Sequence, residues 1–536
     1  MKLRRKVLIA FAFALGVAIL VPVIRHYQLR FAVEKYISEL KAQGEPMELA
    51  QVVPPPVPPE QNGAPLITNA LAQLDSDSSA TNWVILGNAP VDMNRTIPGK
   101  AMAGWHEPVI HSADTWPHDV TNTWDELAAQ LASRQNDLSA LRSLIEKPVL
   151  VFHMNYSDIR DLGLPFHLAK LKVAVQWLEA SEYYNLHQGK TTEACADIRT
   201  ILALIKGTTN ERYEISQLVR QALIRMCAFA TWNVLQATNI SEDNLSQIQA
   251  DWEMVEITAP LRDSFLFERA NELRMIDEFR QSPTNLSWWL GSILPRKGYD
   301  YEQIGEGDSM RWDWVDKRTL LDKLVNKVFT TWDESQWRWF WSDQDELHAL
   351  PIWGVVLEGT GSLATNHSFQ FTQVSVKTSF ARLNTDSLTN YPFEIMAYNT
   401  ANQLGAIRDA ARAEVARNVV VTAIALKRYE LRHHQFPDTL SELVPDFLKV
   451  VPTDYMNGQP LHYRRNGNGT FLLYSVGENG KDDGGSPEWE KTSETQYSSP
   501  NYSDWQSANA LDWVWPQPAT EAEVQKFYST QTGGSE

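Results

Sequence analysis

Cysteine is scarce in this chain of 536 residues, which contains only Cys195 and Cys227. Two thiols exclude a disulfide-rich scaffold and a cysteine-rich zinc site, because both need larger sets of cysteines. Both residues stand among apolar residues at helical spacing, and free cysteines in such positions are usually buried. We therefore expect two buried thiols, with a disulfide between them as the alternative in an exported protein.

Motifs that carry well-known catalytic mechanisms are also missing. The sequence contains no HExxH, no GxSxG, no phosphate-binding loop and no GxGxxG, and the short Gly359-Thr-Gly361 does not replace them. Missing motifs do not exclude catalysis. They favour a non-enzymatic protein over an enzyme.

A basic surplus is absent as well, since 48 Lys and Arg face 66 Asp and Glu, for a net charge of −18. Residues 1–41 hold eight basic residues against two acidic ones, so this segment carries +6 and the rest of the chain carries −24. A body of that charge repels phosphate backbones, which excludes a general nucleic-acid binder.

One long apolar run is present, at residues 7–24, directly after the basic MKLRRK. At about 1.5 Å per residue it spans about 27 Å, enough for the core of a bilayer. We expect an uncleaved signal anchor. A signal peptide cleaved near Gly16-Val17-Ala18 and a buried core helix are the alternatives. The basic cluster before the run favours a cytoplasmic amino terminus and a body on the periplasmic or extracellular side.

The next segments read as connections between this anchor and the body. Apolar residues at helical spacing continue the anchor as an amphipathic stalk, so anchor and stalk together cover 1–41. Residues 42–66 form a proline-rich tether that includes QVVPPPVPPEQNGAP, because successive prolines hold the chain extended.

Residues 67–250 are predicted to form a helical-hairpin domain. Apolar positions at helical spacing from Leu168 to Tyr183 and from Ala194 to Ile205 flank the turn His187-Gln188-Gly189-Lys190. Two such helices joined by a glycine turn form an antiparallel hairpin. The arrangement loosely resembles a tetratricopeptide unit, which implies an interaction scaffold.

Residues 251–400 form a predicted tryptophan-rich helical or mixed region. Ten of the twenty tryptophans lie between Trp252 and Trp353. Their rings could stack on sugar rings or a partner helix, or pack helices against each other or against lipid. The charged residues of 266–280 are expected to form a solvated helix face.

Residues 401–516 combine a long helix, a short helix and a β-hairpin. Three consecutive stretches carry this pattern: KRYELRHHQFPDTLSELVPDFL, VPTDYMNGQPLHYRR and FLLYSVGENGKDDGG. Asn466-Gly467-Asn468-Gly469 is predicted to form the hairpin turn. The order of these motifs resembles the globular head of the major pseudopilin of type II secretion. The resemblance covers about a fifth of the chain.

The resemblance implies an α+β head with a calcium-binding loop. Matched by position, the calcium ligands would come from Ser475, Val476 (by its backbone), Asn479 and Asp512, and Asp482 and Asp483 are further candidates. Asn479 stands where the family usually has Asp, which should weaken the affinity for a hard cation. The amino terminus also lacks the glycine, phenylalanine and glutamate of a prepilin processing site, so a processed pilus subunit is not expected.

Taken together, the patterns predict a mainly α protein with an amino-terminal membrane helix, a helical-hairpin body and a small α+β pseudopilin-head-like module, followed by a tail at 517–536. The predicted function is a membrane-anchored, extracytoplasmic, non-enzymatic scaffold that meets type II secretion-like or envelope components. The alternative is a membrane-tethered hydrolase or carbohydrate-binding protein that uses the tryptophan-rich region.

Overall fold

The fold is given by a computed structural model. It describes residues 2–75, 99–103, 105, 110–111, 121–147, 149–152, 156, 167–282, 284–286, 299–304, 311–316, 335–383, 396, 400, 403–488 and 510–524. Trp288, Trp289 and Trp332 of the tryptophan-rich region lie outside these residues, as does the last part of the predicted tail, 525–536.

Most of the described residues are helical. In chain order the α-helices are α1 Lys2–Ala42, α2 Leu49–Val52, α3 Ala64–Asp75, α4 Trp124–Ser133, α5 Gln135–Arg142, α6 His167–His187, α7 Thr191–Gly207, α8 Glu214–Leu235, α9 Glu242–Glu253, α10 Thr258–Gln281, α11 Ser342–Asn366, α12 Phe369–Arg382 and α13 Leu404–His433. Short 3₁₀ helices cover Pro59–Gln61, Ser143–Glu146 and Leu440–Leu443, and a π-helix covers Trp337–Trp341.

The described strands are short. They are β1 Lys100–Ala101, β2 Ile110–His111, β3 Thr121–Asn122, β4 Tyr299–Ile304, β5 Arg311–Asp316, β6 His462–Arg465, β7 Phe471–Ser475, β8 Trp513–Val514 and β9 Gln517–Pro518. β4 and β5 form one hairpin, and β6, β7 and β8 form an antiparallel sheet in that order. The prediction of a mainly helical chain with a small sheet is therefore confirmed.

The hairpin predicted in the helical body is present. α6 and α7 pack against each other, and the turn between them places Gly189 at φ +68°, a conformation that glycine adopts without strain. α8 packs on both helices. Thr123 caps the start of α4, which ends at Ser133, and α5 begins directly after Arg134.

The helix of the carboxyl-terminal module lies deep in the molecule. α13 packs against α8 and α9, and its residues from Ala406 to Leu426 are mostly buried. The hairpin body and the module share one apolar core, which includes Leu178 of the body and Trp513 of the module. One core therefore joins the predicted ranges 67–250 and 401–516.

The charged face predicted on 266–280 is only partly solvated. Arg269 and Glu272 are 1% and 7% exposed, whereas Asp277 is exposed. Arg269 donates to Glu45 at 2.8 Å and to the carbonyl of Pro46 at 3.0 Å. The prediction of a fully solvated face was wrong, because the segment that follows α1 covers one side of α10.

The predicted stalk belongs to the single helix α1, which continues to Ala42. Within that helix the side chains of residues 2–12, 14–15, 18–19 and 22 lie outside the described residues. Among the residues that are described, no helix combines the length and apolar character that a membrane span needs. The membrane anchor at 7–24 stays a prediction.

Candidate functional site

The sheet and its loops bring most of the predicted ligand residues to one place. β7 ends at Ser475, and β8 begins at Trp513, directly after Asp512. Because Ser475 pairs with Trp513 across the two strands, Asp512 lies beside the loop that follows Ser475. That loop, residues 476–486, is called the glycine-aspartate loop below.

A carboxylate without an assigned role in the sequence analysis occupies the start of this loop. Asp454 is fully buried, and its Oδ1 accepts hydrogen bonds from Ser475 Oγ at 2.8 Å and from the Met456 N–H at 2.9 Å. Its Oδ2 accepts from the Val476 N–H at 2.9 Å. Burial raises the pKa of Asp454, while these hydrogen bonds oppose that shift.

Asp512 holds the other end of the loop in the same way. Its Oδ2 accepts from the N–H groups of Gly485 and Ser486 at 2.9 and 3.0 Å, and its Oδ1 accepts from the Asp483 N–H at 3.4 Å. The side chain of Asp512 is fully buried, and burial raises its pKa. Gly485 has φ +78°, and a Cβ there would lie 2.6 Å from Leu472.

The remaining predicted ligands bind within the loop or to the sheet. Asp482 Oδ1 accepts from the Gly484 N–H and from Tyr474 Oη, both at 2.9 Å, and the Gly484 bond is the main reason that the pKa of Asp482 is lowered. Asn479 donates from Nδ2 to Asp483 at 3.0 Å, and its Oδ1 accepts from the Lys481 N–H at 2.9 Å.

The predicted calcium ligands are engaged in hydrogen bonds in this arrangement. Calcium binds six to eight oxygen atoms that converge on one point. Here the carboxylate oxygens of Asp454 and Asp512 accept hydrogen bonds from N–H and O–H donors, which use much of their lone-pair capacity. Across the described ranges, no three or more His, Cys, Asp or Glu side chains group in a way that could hold a metal ion. The hydrogen bonds to Asp454 and Asp512 therefore hold the glycine-aspartate loop in place.

The tryptophan-rich region contributes mainly to the core. Trp252, Trp337 and Trp353 are at most 2% exposed, and Trp337 donates from Nε1 to Asp345 at 2.9 Å. Trp339, in contrast, is 65% exposed. Buried rings are unavailable for stacking on sugar, so the described part of this region favours packing over a glycan-binding platform.

A group of buried acids and thiols lies inside the helical body. Glu182 is fully buried, and neither of its carboxylate oxygens has a hydrogen-bond partner. Burial raises its pKa well above the usual range and raises that of Glu179, one turn earlier on α6, to about 8. Cys195 and Cys227 are buried and free, as predicted, and burial raises the pKa of Cys195 to about 12.

Asp197 in the same region is paired. Arg142 approaches it at 2.6 Å, and Ser181 and Asn185 donate to it at 2.8 and 3.0 Å. Burial still raises the pKa of Asp197 to about 6. No sequence pattern pointed to this group, because helix periodicity marks an apolar face but does not reveal which polar side chains become buried beside it.

Polar and charged side chains connect the end of the predicted anchor to the body. These residues, here called the stalk junction, are His26, Arg30, Arg280, Asp343 and Glu346. His26 Nδ1 lies 2.6 Å from Asp343, which is also bonded by Arg280 at 2.9 Å. Arg280 reaches Glu346 at 2.6 Å, and Arg30 lies 3.8 Å from Asp343. Asp343 and Glu346 are almost fully buried, so the junction fixes α1 against α11.

Comparison of the chain with protein-family models, with curated proteins and with solved structures finds no match. The likeness of residues 401–516 to a pseudopilin head therefore stays a prediction.

Proposed function

We propose that this chain is a membrane-anchored, extracytoplasmic scaffold that presents its carboxyl-terminal module to envelope or type II secretion-like components. The observation that carries the proposal is the stalk junction. It places a folded helical body directly at the end of the apolar run, with no free linker between them.

The junction supports a fixed platform because of its geometry. His26 and Arg30 stand one turn apart on α1, and both face the carboxylate of Asp343. Charged groups that are buried together are costly to separate, since each would be left without a partner away from water. A helix held in this way sets the position of the body relative to the anchor.

The module is held by the same body, which leaves its outer side for a partner. α13 is buried, whereas Lys449 and Val450 are 90% and 71% exposed. Asp482 and Asp483 of the glycine-aspartate loop are also exposed. The exposed residues of the module therefore include both charge signs and an apolar side chain, a mixture that suits a protein partner.

The hydrolase or carbohydrate-binding alternative has less support. It depends on exposed aromatic rings, and the tryptophans at 252, 337 and 353 are buried. Calcium binding by the glycine-aspartate loop stays a prediction of the pseudopilin resemblance.

Two measurements test the proposal. The first compares the full chain with a chain that lacks residues 2–24 in cell fractionation, with protease added to intact and to permeabilised cells. We expect the full chain in the membrane fraction, with its body digested only where the extracytoplasmic side is reached. A body that is digested only after the inner membrane is ruptured would contradict export.

The second measurement identifies partners by photo-crosslinking from residues 450 and 483, with residue 254 as the matched control on the body. Met254 is 57% exposed, so its accessibility is comparable. Envelope or secretion proteins captured from 450 and 483, and not from 254, are the expected result. Capture of cell-wall polysaccharide alone would contradict the scaffold proposal and favour the alternative.

A further inference from the structure

The π-helix Trp337–Trp341 combines one buried, one exposed and one charge-contacted tryptophan within a single turn. Trp337 is 2% exposed and belongs to a small apolar cluster with Ile276 and Phe279. Trp339 is 65% exposed. Trp341 packs against the same cluster, and the Arg25 guanidinium lies 5.6 Å from the centre of its ring.

The contact with Arg25 fixes the level of this turn along α1. Arg25 is the first residue after the apolar run at 7–24. Residues two positions apart in a helix differ by about 3 Å along its axis, so the backbone of Trp339 lies near the level of Trp341. The turn is therefore beside the end of the apolar run.

Tyr27 marks the same level on α1 itself. It is 70% exposed and lies two residues after Arg25, about 3 Å farther along the helix. The polar headgroup zone extends roughly 5–7 Å beyond the hydrocarbon core on each side of a bilayer. Tyr27 and Trp339 are thus two exposed aromatic side chains at the depth of that zone.

The chemistry of these side chains fits a lipid surface. Indole and phenol rings have an apolar body and one polar group, and both are enriched at the boundary between hydrocarbon and water. The neighbouring acids do not oppose such a contact, because Asp343 and Glu346 are paired with His26 and Arg280.

We propose that Trp339 is a membrane-interface residue. Its side chain would lie among the lipid headgroups next to the anchor and hold the helical body at the membrane surface. The proposal depends on the membrane anchor proposed above. With the stalk junction on one side and Trp339 in the headgroups, the body has two separate attachments to the bilayer region, and its tilt is restricted.

The test places one environment-sensitive label at a time on the full chain, reconstituted into vesicles of phosphatidylcholine and phosphatidylglycerol. The labelled variants are Trp339→Cys, Val17→Cys inside the apolar run and Val450→Cys on the module, each carrying a nitrobenzoxadiazole group. The natural thiols are 2% and 0% exposed, so the unsubstituted chain measures their background labelling. The readouts are the blue shift of the label and its quenching by a nitroxide lipid or by aqueous iodide.

We expect lipid quenching and a blue shift at residues 17 and 339, and iodide quenching alone at 450. Quenching by lipid at 17 but not at 339 would overturn the role of Trp339 and leave the anchor in place. Absence of lipid quenching at both positions would overturn the anchor and the interface together. Equal lipid quenching at 339 and 450 would also overturn the proposal, because it would indicate adsorption without a defined contact.

Discussion

The indole Nε1 of Trp232 donates a hydrogen bond of 2.8 Å to the carbonyl of Pro516, and both residues are separated from solvent at this contact. Trp232 belongs to α8 of the helical body, and Pro516 follows the last strand of the β6–β7–β8 sheet. Arg428 of α13 adds a second link, with 2.7 Å to Glu242 and 2.9 Å to Gln249. The carboxyl-terminal module is therefore packed directly against the helical body.

Asp454 should be a strong determinant of stability. Asp454→Ala removes the acceptor of three hydrogen bonds and leaves Ser475 Oγ and the N–H groups of Met456 and Val476 without it. We expect a loss of about 2–4 kcal/mol in the free energy of unfolding. Urea denaturation of the full chain in detergent micelles measures it.

The matched control for that change is Asp483→Ala, which removes an exposed carboxylate bonded to the Asn479 side chain. It should cost about 0.5 kcal/mol or less. Equal losses in the two variants would show that the buried brace around Asp454 does not stabilise the module.

Metal removal tests the calcium hypothesis. Because N–H donors occupy both oxygens of Asp512, chelation should leave the thermal midpoint of the full chain unchanged, and millimolar calcium should add nothing. Calorimetry with and without calcium gives the result. A midpoint that rises with calcium in the natural chain, but not in Asp512→Ala, would establish a site that the present arrangement does not contain.

The buried acids of α6 should make stability depend on pH. The pKa of Glu179 is raised from 4.5 to about 8, so the folded state binds more protons than the unfolded state between these values. Stability from this group is complete below its unfolded pKa and is lost as the pH rises through about 8. Burial also raises the pKa of Glu182 well above its usual range, so this carboxyl contributes in the same direction.

Glu179→Gln and Glu182→Gln should therefore flatten the decline in unfolding free energy between about pH 5 and about pH 9. Glu193→Gln, at an exposed position of α7, is the control and should keep the decline of the natural chain. A decline of the same size in all three variants would assign the pH dependence to other groups.

The stalk junction should control the order of α1. Asp343→Ala removes the group that His26 and Arg280 share, so we expect faster amide exchange over residues 26–40. Hydrogen–deuterium exchange with mass spectrometry reports this region directly. Glu34→Ala, which removes an exposed ion pair with Arg30, should change little because such pairs contribute about 0–1 kcal/mol. Unchanged exchange in Asp343→Ala would mean that apolar contacts alone hold the helix.

Local patterns predicted several elements well. The turn around Gly189 and the strand pair around Asn466-Gly467-Asn468-Gly469 follow from short-range spacing and turn chemistry. The match of Asp512 to the loop after β7 came instead from the pseudopilin resemblance, and the pairing of Ser475 with Trp513 brings the two together. Asp454 lies in VPTDYMNGQP, part of the stretch that resembles a pseudopilin head, but its role depends on donors that lie more than twenty residues later in the chain.

Short-range patterns were enough to predict where helices and turns lie and where the apolar run ends, because those features depend on neighbours within a few residues. Which faces are covered depends on packing between distant parts of the chain. Glu182 and Arg269 have ordinary charged side chains in helical segments, and they are buried because helices distant in sequence pack over them. Apolar periodicity identifies the apolar face of a helix, but it does not identify which other helix packs against that face.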